Sequence, residues 1–278
     1  MAFLRVVEFF QPLFEGRPGR PIDLGRGVDG FLAGVKRARG CFDVALVGDH
    51  KDPGLLKFSS VQSAALVEKE LGVPAAPVIV ARDSNRPQTL SAVVTAYGLG
   101  LRNIMLAWGD RYLPGRPKNV YDFTGLGALI SEARGIATRA GITVRIFAPL
   151  DVESLKTGRG VAVARSRLKA GADLLLAQPP TTDAEAELSR HLGLLSQAGL
   201  GESVLLNAFP FKDEEDVLHC EGFFGWTLPP ELHRRAAGGR AALDDCARDV
   251  VNALRKRGSA GVYVSTRGEP ENARAILG

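Results

Sequence analysis

The sequence predicts a (β/α)8 barrel. Eight short apolar runs, each followed by an amphipathic stretch, recur along the 278 residues. The runs are continuously apolar rather than alternating, as parallel strands covered on both faces require. Chain length and strand number both suit a closed barrel. A doubly wound sheet would carry a glycine fingerprint after its first strand, but here Gln11-Pro12-Leu13-Phe14-Glu15-Gly16 follows.

Strands are expected over residues 4–9, 44–47, 78–81, 104–107, 144–147, 174–177, 204–208 and 262–264. Between them, Leu126, Leu129, Ile130, Ala133, Ile136 and Ala137 follow the three-and-four spacing of a one-faced helix. Thr182-Asp183-Ala184-Glu185 reads as a capping box opening a helix that Gly199 ends. Leu243, Cys246, Ala247, Val250, Val251 and Leu254 form another stripe, which makes Cys246 a core residue. A last helix over 269–277 closes the barrel, for about eight helices in all. No composition break marks a linker, so residues 1–278 are read as one domain. The proline- and glycine-rich loops 16–21 and 111–118 have the length of lids.

A hydrophobic content of 45% with 24% charged residues is that of an ordinary globular protein. Net charge is +4, from 35 basic against 31 acidic residues, with no basic run or aromatic-basic interleaving. Nucleic acid is therefore not expected as a partner. A solvated arginine-rich surface or an anionic small molecule accounts for the bias. Cys41, Cys220 and Cys246 are far apart and form no CxxC, against a metal or disulfide framework. No apolar run approaches the ~20 residues of a membrane span, and Glu8 interrupts the amino-terminal segment. A cytoplasmic location is expected.

In a barrel, the carboxyl ends of the strands converge on one face. Those ends carry Glu8, Asp49, Arg82, Asp83, Asp110, Asp151, Gln178, Pro210, Lys212 and Ser265 to Arg267. Glu8 lies between Val7 and Phe9-Phe10, where desolvation would keep a carboxyl protonated as a general acid. The same spacing allows a glutamate that points out of the strand toward an arginine. Gln178 follows four apolar residues and precedes Pro179-Pro180; a buried amide there needs partners, from a heteroaromatic ring or from its own loop. Of the four histidines, His191 and His233 are expected at the surface, and only His50 adjoins a strand end. No serine-histidine-aspartate order and no metal cluster is evident.

Together these segments resemble the methylenetetrahydrofolate reductase family, flavin-dependent (β/α)8 barrels. The resemblance spans Val7-Glu8-Phe9-Phe10-Gln11-Pro12, Arg82-Asp83-Ser84-Asn85-Arg86, Gly100-Leu101-Arg102-Asn103-Ile104 into Gly109-Asp110, Val120-Tyr121-Asp122, and Ala170-Gly171-Ala172-Asp173 leading to Gln178-Pro179. The Arg-Asp-x-Asn-Arg and Val-Tyr-Asp pieces are most similar to the branch also found fused to homocysteine methyltransferase modules. The resemblance implies that Glu8 protonates the N10 side of a methylene-tetrahydropterin, tetrahydrofolate or an analogue. It implies that Asp110 steadies the cationic intermediate and that Gln178, with Phe209 or Phe211, contacts the pterin. FAD, reduced by NADH or NADPH, would pass the hydride, with cofactor contacts falling on Asp49, Arg82, Asp83, Ala107, Trp108, Gly109, Ala148 and Arg167.

The chain departs from that pattern around the flavin. Val47-Gly48-Asp49 replaces a hydroxyl-bearing sequence, and Ala148 and Val152 replace an aromatic and a histidine. Gly160, Val163 and Ser166 stand where the family has polar residues that hold the flavin's phosphates and adenosine, with only Arg167 keeping the basic character. Three arrangements stay open: flavin held differently, flavin held weakly, or direct hydride transfer from the nicotinamide. A pterin-carrier binding subunit without redox activity is the alternative function. A homo-oligomer or a complex with a methyltransferase is the expected assembly beyond the small-molecule substrate.

Overall fold

The computed structural model describes residues 2–15, 22–49, 55–109 and 120–278. In chain order its elements are β1 (Leu4–Phe10), β2 (Leu13–Glu15), α1 (Leu24–Ala38), β3 (Val44–Gly48), β4 (Leu55–Lys57), α2 (Ser60–Leu71), β5 (Ala75–Val80), α3 (Arg86–Gly98) and β6 (Asn103–Ala107). They continue with α4 (Leu126–Arg139), β7 (Arg145–Asp151), a 3-10 turn (Val152–Lys156), α5 (Gly158–Lys169), β8 (Leu174–Gln178), α6 (Ala186–Ala198) and β9 (Val204–Asn207). The chain ends with α7 (Glu214–Phe224), α8 (Pro230–Ala236), α9 (Arg240–Lys256), β10 (Gly261–Ser265) and α10 (Glu271–Leu277).

Eight parallel strands close in the order β1-β10-β9-β8-β7-β6-β5-β3, the barrel expected from the sequence. A two-stranded antiparallel sheet of β2 and β4 lies outside it and was not expected, because three-residue strands leave no periodicity to read. The expected lid loops 16–21 and 111–118 fall outside the described residues.

Side-chain alternation divides the barrel strands between two environments. Val7, Phe9, Ala45, Val47, Ile79 and Leu106 face outward into the larger core beneath the helices. Val6, Leu46, Val78, Phe147, Leu176, Leu205 and Tyr263 face inward. Following the strand registers with the one-residue stagger per strand that an eight-stranded barrel requires, the inward residues sort into levels. Val6, Ala76, Phe147 and Leu205 form a low level; Leu46, Met105, Leu176 and Tyr263 lie above it. Next come Glu8, Val78, Pro149 and Asn207, and Gly48, Ala107, Gln178 and Ser265 make the rim. Polarity therefore rises toward the carboxyl ends of the strands.

The opposite end is stapled. Arg5 pairs with Asp43 at 2.8 Å, joining β1 to the start of β3. Arg134 on α4 donates to the carbonyl of Gly171 at 2.7 Å, and Asp173 accepts the backbone N–H of Ile146 at 2.7 Å. The Ala-Gly-Ala-Asp segment thus supports the fold at the end remote from the mouth, and Gly171, with φ +114°, supplies the turn.

Two local expectations change. Helix α6 starts at Ala186: Asp183, not Thr182, caps it by accepting from the N–H groups of Ala186 and Glu187, while Glu187 reaches back to the N–H of Thr182. His191 is fully buried rather than on the surface. It sits on the face of α6 shared with Leu188 and Leu195, its Nδ1 lies 2.8 Å from the Thr181 hydroxyl, and Nε2 meets Glu153 at 2.9 Å. His233 is half-buried and 3.4 Å from Glu221.

Candidate active site

Inward parity on β1 turns Glu8 into the barrel, which favours the acid reading over a glutamate pointing outward. From the next strand, the Tyr263 hydroxyl donates to Glu8 Oε2 at 2.6 Å. Burial, then the charge of Glu8, pushes the Tyr263 hydroxyl well above its ordinary range, so it remains a protonated donor. Across the other neighbouring strand, a Cβ on Gly48 would stand 3.0 Å from Glu8 Oε1 and 3.4 Å from the Phe10 ring. The absent side chain makes room for the carboxyl group.

Asn207 shares the level of Glu8. It is fully buried, and among the described residues neither its amide oxygen nor its amide nitrogen has a hydrogen-bond partner. Gln178 is exposed at the rim, not the buried amide the sequence implied, because it stands one level above the filled interior. Its peptide bond to Pro179 is cis. Neither Tyr263 nor Asn207 was picked out from the sequence; both sit in apolar runs, at positions whose strand parity points inward.

Other expected positions serve the surrounding frame. Ala107 faces the barrel mouth. Trp108 stacks on Tyr121 with ring centres 4.4 Å apart and planes within 4°. Gly109, at φ +89°, lets the chain pass where a Cβ would lie 2.6 Å from Val80. Arg82 is buried against Asp83 at 3.0 Å. Asp83, itself at φ +58°, accepts from the N–H of Val120 at 3.1 Å, and its own N–H reaches the Val120 carbonyl. Asn85 caps α3 while Asp122 accepts the N–H of Arg86 at 2.8 Å. The Arg-Asp-Ser-Asn-Arg and Val-Tyr-Asp segments are therefore one latch beside the mouth. Asp49 lies beside the β2–β4 sheet, bonded to Lys57 at 2.7 Å and Gln11 at 3.1 Å. Asp110 and His50 are outside the described residues.

Four expected contact residues are engaged elsewhere. Ala148 faces outward into the core beneath the helices. Phe209 and Phe211 are buried in a smaller core with Val217, Leu228 and Leu232, beside the rim. Arg167 is held to the Pro149 carbonyl, and burial lowers its pKa although Asp151 opposes this. Among the described residues, no His, Cys, Asp and Glu group has a metal-binding arrangement, and no helix is long and apolar enough to cross a membrane.

The sequence pattern of methylenetetrahydrofolate reductase matches residues 47–254, most of the chain. The chain belongs to the methylenetetrahydrofolate reductase family. No curated protein matches it in sequence. Among solved structures, a phosphoenolpyruvate phosphomutase from Streptomyces platensis subsp. rosaceus is similar at 12% identity and a TM-score of 0.51, covering 99% of this chain and 80% of that one. A 2,3-dimethylmalate lyase of the PEP mutase/isocitrate lyase superfamily aligns at 15% identity and TM-score 0.49. That alignment covers 74% of this chain, which spans only 65% of the lyase's length. A deoxyribose phosphate aldolase from Aeropyrum pernix gives 13% identity and TM-score 0.47, with 98% and 87% covered. At such identities the phosphomutase likeness supports the barrel fold alone.

For a member of the reductase family, the fit to a flavin dinucleotide is uneven. At the rim, the space beside Gly48 is taken by the Glu8 carboxyl group, and Ala107 adds only a methyl group. The positions on α5 that would meet phosphates and adenosine do not match. A Cβ at Gly160 would strike the Ser154 carbonyl at 2.0 Å, Ser166 donates to its own helix at the Val163 carbonyl, and Arg167 is engaged with Pro149.

Proposed function

We propose that this protein reduces the methylene group of a 5,10-methylene-tetrahydropterin, tetrahydrofolate or an analogue, to a methyl group, with NAD(P)H as hydride donor. The observation that carries the reading is Glu8, an inward carboxyl group at the level below the rim with one oxygen held by Tyr263. Glu8 gives its proton to N10 as the N10–methylene bond breaks, leaving an iminium between the carbon and N5. The nicotinamide delivers a hydride to that carbon, forming the N5-methyl product and NAD(P)+, and water restores the proton on Glu8. Asp110 is assigned to the cationic intermediate, whose charge a nearby carboxylate stabilises in a water-poor site. Gln178, exposed at the rim, is assigned to the pterin ring. Because the α5 positions do not fit the dinucleotide, no step here passes through flavin.

The test is anaerobic mixing of the protein with NADH or NADPH and a methylene-tetrahydropterin, following nicotinamide absorbance and methyl product. Glu8→Gln is expected to lower carrier reduction by about 10²- to 10⁴-fold, the usual worth of a general acid. Normal turnover by that variant removes Glu8 from the reaction. The engaged α5 side chains also favour a second reading, a carrier-binding subunit without redox activity. Pterin binding with no nicotinamide oxidation by the native protein would select it.

A further inference from the structure

Asn207 has chemistry that the reaction above does not use. Its side chain carries two N–H donors and a carbonyl acceptor, all within a fully buried residue, and none is bonded to any of the described residues. Buried amides are ordinarily partnered, and an orphaned one calls for an explanation. Its neighbours do not supply one. Tyr263, which pairs in register with Asn207, spends its hydroxyl on Glu8. Pro149, at the same level on β7, has no N–H, and its carbonyl accepts from Arg167. Val78, completing the level, is apolar. The orphaned amide is thus set at the level of the proposed acid, one level beneath exposed Gln178.

We infer that Asn207 is a ligand-binding residue of the barrel mouth that pairs with a cis-amide edge, an N–H next to a C=O, on a flat ring. An asparagine meets such an edge through two antiparallel hydrogen bonds, one given and one received. The inference deepens the reductase reading and rests on it. Two molecules of that reaction carry an amide edge: the pyrimidinone of the pterin and the carboxamide of the nicotinamide. Asn207 stands at the level of Glu8, so either ring would be held with its reacting atoms close to the acid.

Asn207→Leu keeps the size and removes both polar atoms. Equilibrium dissociation constants are measured for a methyl-tetrahydropterin and, separately, for NADH, on the full chain, together with urea unfolding without ligand. The expected result is at least tenfold weaker binding of one of the two, with binding of the other within twofold. The ligand that weakens identifies the partner. Unliganded Asn207→Leu is expected to unfold at no lower urea concentration than the native chain, because no protein hydrogen bond is lost. Should Asn207→Leu not fold, Asn207→Ser carries the same binding comparison. Dissociation constants within twofold of native for both ligands overturn the assignment and leave the reductase reading intact. A lower unfolding midpoint with both ligands equally weakened also overturns it, as a structural role. Failure of the native protein to bind either ligand overturns the reductase reading along with it.

Discussion

Tyr263 on β10 donates its hydroxyl to Glu8 on β1 at 2.6 Å, across strands 255 residues apart in sequence. This bond fixes the orientation of the carboxyl group. Tyr263→Phe is expected to lower kcat/KM by ~10- to 100-fold, the worth of a hydrogen bond that positions a reacting group. Unchanged kcat/KM would detach the tyrosine from the acid.

Gly48 is where β3 makes room for the carboxyl group. In Gly48→Ala, the added methyl would sit 3.0 Å from Glu8 Oε1, and Glu8 or the Phe10 ring has to shift. A misplacement of that size in a reacting group is expected to lower kcat by ~10- to 100-fold. The urea midpoint should move little. Steady-state kinetics beside an unfolding curve separates the two effects.

Gly109 tests the frame rather than the chemistry. Gly109→Ala adds a Cβ at a left-handed φ of +89°, within 2.7 Å of both Val80 and Arg82. The expected loss is ~1–3 kcal/mol from backbone strain, with further loss from the clash. Urea unfolding measures it, and quenched or shifted Trp108 fluorescence would report whether the stack on Tyr121 survives.

Acid should weaken the fold in two steps. Burial, opposed by its bond to Glu153, lowers the His191 pKa from 6.5, so the unfolded chain takes up that proton first and stability declines as pH falls below about 6.5. Glu153, drawn down to about 2 by bonds from Lys156, His191 and Arg190 against an opposing burial cost, adds a second loss as pH falls from 4.5 toward 2. Thermal midpoints from pH 8 to 3 should show both, and His191→Gln should remove the first.

The barrel was legible because parallel strands buried on both faces are largely apolar runs, and all eight expected runs overlap observed strands. The β2–β4 pairing escaped because three-residue strands are too short to repeat a pattern, and helix α8 was not read although α10, of the same seven-residue length, was. Glu8 was visible as a strand-end acid, but its direction depended on the register with β10 and β3. Asn207 and Tyr263 were hidden inside Val-Leu-Leu-Asn and Val-Tyr-Val, where only inward parity distinguishes a site residue from a strand residue. His191 was available: Leu188, His191 and Leu195 share the buried stripe of α6, and the spacing places the imidazole inside. The latch of Asp83 on Val120 was not, since nothing local joins residues 37 apart.

A polar stratum holding both Glu8 and Asn207 has a mechanical corollary. Cohesion in that slice of the lumen is thin, so keeping the ring of strands shut falls to the outer jacket, where Val7, Phe9 and Val47 meet the helices. Lumen side chains near the mouth can then be exchanged for new chemistry with little risk to folding, whereas trimming the jacket would loosen the whole cylinder.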